Sequence, residues 1–163
     1  MGRVMWILAW LCGLALATYW FGLWEARQSN PNMRPNSRVE SGVVEVVLSR
    51  NRQQHFVATG AINGHTVDFL VDTGATEVSL SLPLAKRLGL HLGTPVVVNT
   101  ANGQSRAYRS ELARLSLGAI ELENVRALVV QGLEDDQVLL GMSALKELEF
   151  TQRSGTLLLR QYK

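Results

Sequence analysis

The hydrophobic pattern changes character twice along the chain. From Val4 to Trp24 no charged residue occurs. That length suits one membrane-spanning helix, with Trp20, Phe21 and Trp24 as an interfacial aromatic belt. A cleaved signal sequence competes, because Ala15-Leu16-Ala17 has the small-x-small form of a cleavage site. The apolar run continues through Tyr19-Trp20-Phe21 without a polar break, which favours an uncleaved anchor over residues 1–24. Residues 25–41 lose almost all apolar content. Gln28-Ser29-Asn30-Pro31-Asn32 and Arg34-Pro35-Asn36-Ser37 are turn and coil formers, so this stretch reads as a flexible linker.

From Gly42 onward the pattern predicts short strands, forming one domain over residues 42–163. Val43 to Leu48 is a β-branched run. His55 to Ile62 and Thr66 to Val71 flank Asn63-Gly64, a strong hairpin signal. Glu77 to Leu80, Pro95 to Thr100, Ser105 to Leu117, Ile120 to Val130 and Val138 to Gly141 add further strands. Phe150 to Thr151 and Thr156 to Leu159 close around Arg153-Ser154-Gly155. Pro83 to Leu88 and Ser143 to Leu148 read as two short helices, the first stopped by Gly89. Many short strands with one or two small helices predict a mostly β, closed-barrel domain.

Composition narrows the chemistry. Apolar residues make up 47% of the chain, enough for a core. The net charge of +2, with no Lys/Arg stripe carrying interleaved aromatics, argues against a nucleic-acid partner. Cys12 is the only cysteine and lies in the apolar helix, so no internal disulfide, cysteine-based zinc site or thiol-protease core can form. His55, His65 and His91 lack ligand spacing, and no metal or other cofactor is expected. Ser79, Ser81 and Ser143 lack a Gly-x-Ser-x-Gly setting.

The most informative element is Asp72-Thr73-Gly74, seated in Phe69-Leu70-Val71-Asp72-Thr73-Gly74-Ala75-Thr76. An apolar strand aims a carboxylate, and a glycine permits the turn that presents it. Read plainly, Asp and Gly at a strand end are ordinary turn formers. Read chemically, the element is half of a proton-sharing carboxylate pair. Two adjacent carboxylates cannot both ionise, so they divide into acid and base. The chain has only four aspartates, Asp68, Asp72, Asp135 and Asp136. Asp68 is four strand residues from Asp72, more than about 10 Å away at ~3.3 Å per residue. Asp135-Asp136 lacks the following Thr/Ser-Gly. The partner is therefore expected to be Asp72 of a second copy across a two-fold axis.

Together, Asp72-Thr73-Gly74-Ala75, the glycine-tipped Thr100-Ala101-Asn102-Gly103 and Leu139-Leu140-Gly141 before a short helix resemble the retropepsin-like aspartic proteases. With a membrane anchor in front, the chain resembles the bacterial single-domain members. The resemblance implies a retropepsin-like closed barrel acting as a homodimeric aspartic endopeptidase without a cofactor. It implies that Asp72 is the catalytic acid. Thr73 would lock two catalytic loops together, Gly74 would bring its N–H to the acid, and Ala75 would complete the loop. Ala101, Asn102 and Gly103 would tip a flap over an extended peptide or protein substrate. Leu139, Leu140 and Gly141 would brace the loop. Self-processing at the linker and interleaving of Leu157-Leu158-Leu159 in a dimer sheet are further expectations of this kind. Ser143 departs from the Asn or Asp common after the brace glycine. Many pepsin-like sites carry Ser or Thr where this chain has Ala75, so activity is expected nearer neutral pH. The expected location is the bacterial inner membrane, held through residues 4–24, single-pass, with the catalytic domain periplasmic. Counting Lys and Arg alone would place the domain inside; the very short N-terminal tail argues for outside. The competing function is a catalytically silent dimerisation or peptide-binding module on the same fold.

Overall fold

The computed structural model of the chain describes residues 2–100, 103–133 and 136–163. Helix α1 spans Gly2–Ser29 with no buried residue, and it is long and apolar enough to cross a membrane. Among the described residues, eleven strands and two short helices follow: β1 (Asn36–Glu40), β2 (Val43–Ser49), β3 (Val57–Ile62), β4 (His65–Val71), β5 (Val78–Ser81), α2 (Leu82–Arg87), β6 (Pro95–Thr100), β7 (Gly103–Leu117), β8 (Ile120–Val130), β9 (Gln137–Leu140), α3 (Met142–Leu145), β10 (Glu149–Arg153) and β11 (Thr156–Tyr162). The larger sheet runs β3-β4-β9-β5-β8-β7-β6, and a second pairing of β3 with β7 closes it into a barrel. A smaller sheet, β1-β2-β11-β10, packs beside it. Alternating residues bury one face of each: Val44, Val46 and Leu48 from β2 join Leu157 and Leu159 from β11 in the common core with Phe69, Leu80 and Leu140.

Local chemistry explains the boundaries. The β3–β4 hairpin turns through Asn63 and Gly64 at φ of 50° and 83°, the left-handed pair that a two-residue turn requires. Ser81 caps α2, its Oγ accepting from Leu84 N–H at 3.2 Å. Gly60 has no room for a side chain, since a Cβ there would meet Ser116 O and the Phe69 ring.

Two expectations require correction. Residues 25–41 are not a loose linker. The helix continues to Ser29, and Asn30 and Asn32 are 7% and 6% exposed. Asn32 Nδ2 donates to Ser49 O at 2.8 Å and Val57 O at 2.7 Å, while its Oδ1 accepts from Ser49 N–H at 2.8 Å. One amide side chain thus ties β2 to β3 where no backbone ladder joins them. Asn30 Nδ2 donates to Thr59 Oγ1 and Asp68 Oδ1 at 2.8 and 2.9 Å. Residues 36–40 then form an edge strand, fully paired with β2. Polar residues that look like coil formers are here the groups that dock the segment, so the folded unit starts near Asn30 rather than Gly42.

The second correction concerns Leu157-Leu158-Leu159. They lie in β11, which is paired on both sides, with β2 and with β10. With Leu157 and Leu159 buried and both edges occupied, this strand has no free side to offer a second chain. The exposed edges of the smaller sheet are β1 and β10.

Candidate active site

Asp72 follows β4 directly, and β4 is held on one side by β3 and on the other, in parallel, by β9. Its N–H donates to Leu140 O at 3.2 Å. The carboxylate then bends back over its own loop, where Oδ1 accepts from Gly74 N–H at 2.8 Å. Ala75 N–H donates to Asp72 O at 3.2 Å, and Ala75 O accepts from Met142 N–H at 2.8 Å. The loop is thereby fixed at both ends to the β9–α3 junction. Asp72 is half-buried, and Thr73 is exposed without a side-chain hydrogen bond within the chain among the described residues.

The junction explains the glycine. A Cβ on Gly141 would collide with Glu77 O and lie 2.7 Å from Ala75 O, too close for any side chain. Gly141→Ala should therefore displace the Asp72 loop, with about 2–4 kcal/mol of lost stability from overpacking against backbone. Thermal unfolding measures the loss, and an unchanged midpoint would contradict the packing described. Ser143 bonds on two sides. Its Oγ accepts from Val78 N–H at 2.9 Å and donates to Arg126 O at 2.7 Å. A single hydroxyl joins α3, β5 and β8 beneath the loop.

Asp72, Gly74, Ala75, Thr76, Glu77 and Ser79 form one wall of a cavity of about 730 Å³. β6 forms the facing wall through Val96 to Thr100, with Arg109, Leu128, Val130 and Leu133 between. The β6–β7 hairpin projects past the barrel: Val97 to Thr100 pair with Gly103 to Arg106, whereas β8 reaches β7 only from Ala107 onward. Thr100 Oγ1 donates to Gly103 O at 2.8 Å near the hairpin end. Gly103 has φ of 102°, a conformation that favours glycine. Of the three expected flap-tip residues, Ala101 and Asn102 lie outside the described residues. Gly103 lies at the end of the projecting arm.

The sequence reading missed Glu77, Arg109 and the valines of β6 as cavity residues. Val97 is 68% exposed, and an apolar strand left uncovered above an acid is the signal that could have pointed there. Among the described carboxylates, Asp68, Asp136 and Glu77 have partners. Asp68 Oδ1 accepts from Thr59 Oγ1 at 2.6 Å and from Asn30. Asp136 pairs with Arg87 at 2.9 Å, and Glu77 faces Arg126 at 4.0 Å.

Comparison with known proteins agrees with this geometry. The family model described as gag-polyprotein putative aspartyl protease matches residues 58–147, more than half of the chain. The chain belongs to that aspartyl protease family. The matched segment holds the Asp72 loop, the projecting hairpin and the β9–α3 brace. Among solved structures, the retropepsin-like aspartic protease from Rickettsia conorii superposes with a TM-score of 0.64 at 30% identity. The match covers 78% of this chain and 96% of that one. The fold is therefore retropepsin-like, preceded by a helix able to cross a membrane. Among curated proteins, an uncharacterized Sinorhizobium protein from the cobV 5′ region is 40% identical over 123 residues, covering 73% of this chain and 53% of the relative. The uncharacterized Rickettsia prowazekii protein RP867 is 30% identical over 131 residues, covering 78% and 56%. The chain thus spans about half the length of the curated relatives it matches.

Proposed function

We propose that this aspartyl protease family member is an endopeptidase whose active site forms when two copies bring their Asp72 carboxylates together. The observation that carries this reading is the half-buried Asp72 carboxylate, held by Gly74 N–H at 2.8 Å at the wall of an open cavity under a projecting hairpin. One carboxylate of the pair takes a proton from water as the water oxygen adds to the peptide carbonyl carbon. The other donates its proton to the carbonyl oxygen. The resulting diol collapses as a proton passes to the amide nitrogen and the C–N bond breaks. A single acid cannot play both parts, and Asp68 and Asp136, the other described aspartates, are engaged elsewhere.

The substrate is a polypeptide in extended form, laid along β6 beneath the hairpin. Thr73, exposed at the loop, is the group that contacts the second copy. Ala101, Asn102 and Gly103 close over the peptide, and Leu139, Leu140 and Gly141 brace the loop. The chain sits in the bacterial inner membrane through residues 4–24 with the barrel on the periplasmic side. Self-processing belongs to the reading only where the segment can be freed, because Asn30 and Asn32 are buried.

The test compares the full chain with its Asp72→Asn form on an unstructured protein across pH. Equal activity would remove Asp72 as the catalytic acid, and no activity in either form would leave a silent peptide-binding or dimerisation module. Ala75→Ser gives a second measurement. A hydroxyl beside the carboxylates favours the ionised form, so the acidic limb of the pH–rate profile should move to lower pH. A limb that stays in place or moves upward would contradict this account of Ala75.

A further inference from the structure

Helix α1 continues five residues past Trp24 to Ser29, about 7–8 Å at 1.5 Å per residue. The polar layer on each side of a bilayer is itself about 5–8 Å deep. One barrel loop, residues 50–55, takes the carbonyls at this helix end. Gln28 O accepts from Arg52 N–H at 3.5 Å, and Ser29 O accepts from Asn51 Nδ2 at 3.0 Å. A spanning α1 therefore sets this loop at headgroup level, with no slack between them.

The loop is suited to that position. It contains no Asp or Glu, and Arg52, Gln53, Gln54 and His55 are exposed. Arg50 is half-buried, its guanidinium 5.3 Å from the Phe56 ring centroid and its Nη1 donating to Gln54 Oε1 at 3.1 Å. Arg50 N–H donates to Gly155 O at 3.2 Å, which brings the β10–β11 turn and exposed Arg153 alongside. Arg27 is exposed on α1. Among the described residues, none of these four arginines is in an ion pair. Asp68, the carboxylate at the Asn30 contact, is occupied by Asn30 and Thr59. Glu25 lies on α1 itself, beside the aromatic belt.

We propose that loop 50–55, with Arg27 and Arg153, docks on the headgroups of anionic phospholipids. The proposal rests on α1 spanning the bilayer. Guanidinium forks match phosphate oxygens, and the surface potential of an anionic leaflet attracts them. The docking also bears on the active site. Phe56, next to the loop, accepts from Val71 N–H at 2.9 Å, and Asp72 follows. Counting ~5 Å per paired contact and ~3.8 Å per chain step, Asp72 is on the order of 20–25 Å from the helix end at most. Segments of protein close to the membrane surface are then the substrates within reach.

The experiment uses the full chain in nanodiscs of phosphatidylcholine alone or mixed with phosphatidylglycerol. All four tryptophans lie in α1, so quenching of their fluorescence by brominated acyl chains reports insertion of the helix alone. Hydrogen exchange at amides 50–56 reports docking. Exchange there should slow in the anionic discs, while amides of β7 and β8 stay unchanged. Arg52→Gln and Arg27→Gln, at exposed positions, should each reduce the slowing by roughly fivefold, and high salt should abolish it. Quenched tryptophans with identical loop exchange in both discs would overturn the docking and leave the anchor standing. Unquenched tryptophans would overturn both.

Discussion

Asp72→Asn should lower hydrolysis of an unstructured protein by about 10²–10⁴-fold or more, the share that positioned proton transfer supplies. The replacement keeps an oxygen able to accept from Gly74 N–H, as Asp72 Oδ1 does at 2.8 Å, so the loop should keep its shape while losing a titrating group. An unchanged thermal midpoint would confirm that only chemistry was removed. Mixtures carry the stronger information. If each chain supplies one of two necessary carboxylates, equal amounts of wild-type and Asp72→Asn chains pair at random. Only about a quarter of the pairs then hold two aspartates. Activity should fall towards that quarter as inactive chain is added at constant total protein. Retention of half would mean that each wild-type chain works alone, and the shared site would have to be abandoned.

Asn32→Ala should be the most damaging substitution outside the Asp72 loop. It strips partners from Ser49 N–H, Ser49 O and Val57 O together, and Asn32 itself is only 6% exposed. Each orphaned backbone group costs about 1–3 kcal/mol, and part of the loss recovers as water enters, for a total of about 3–5 kcal/mol. In a domain of this size that corresponds to a thermal midpoint about 10–20 °C lower. Asn36, exposed at the start of β1, provides the control, since its replacement by Ala should stay within about 0.5 kcal/mol. Equal midpoints for the two variants would show that Asn32 does not fasten β2 to β3. For the same reason, a chain shortened to begin at Gly42 should unfold at a lower temperature than one beginning ahead of Asn30.

The Asp72 element was legible because its information is local. A carboxylate, a turn-permitting glycine and an apolar strand occupy eight consecutive positions, and the Asn63-Gly64 hairpin announces itself in two. The role of Gly141 as a close-packing point was legible only through its order after Leu139-Leu140; the carbonyls of Ala75 and Glu77 that exclude a side chain are distant in sequence. The Asn30–Asn32 contact was opaque for a related reason. Asparagine has the same composition signal in a loop as in a buried bridge, and what separates them is a partner 17 or 25 residues away. Strand β1 disappeared with it, because its five residues are all exposed and carry no alternating pattern. The misplaced expectation for Leu157 to Leu159 has another origin: the apolar run is real, but its partners, β2 and β10, already sit in the same chain.

The position of β11 has a consequence for how the molecule comes into being. Its residues bond to β2, with Arg160 reaching Glu45 across 115 positions, so the smaller sheet closes a very long loop, a slow kind of contact to make. During translation the apolar α1 leaves the ribosome well before β11 does. If α1 enters the bilayer as proposed, that tether to the lipid is set while β2 still shows an uncovered Val44-Val46-Leu48 face. On the proposed membrane placement, the nascent polypeptide would in that interval be held at the bilayer with a half-built barrel, open to chaperones and before the proposed two-chain site could form.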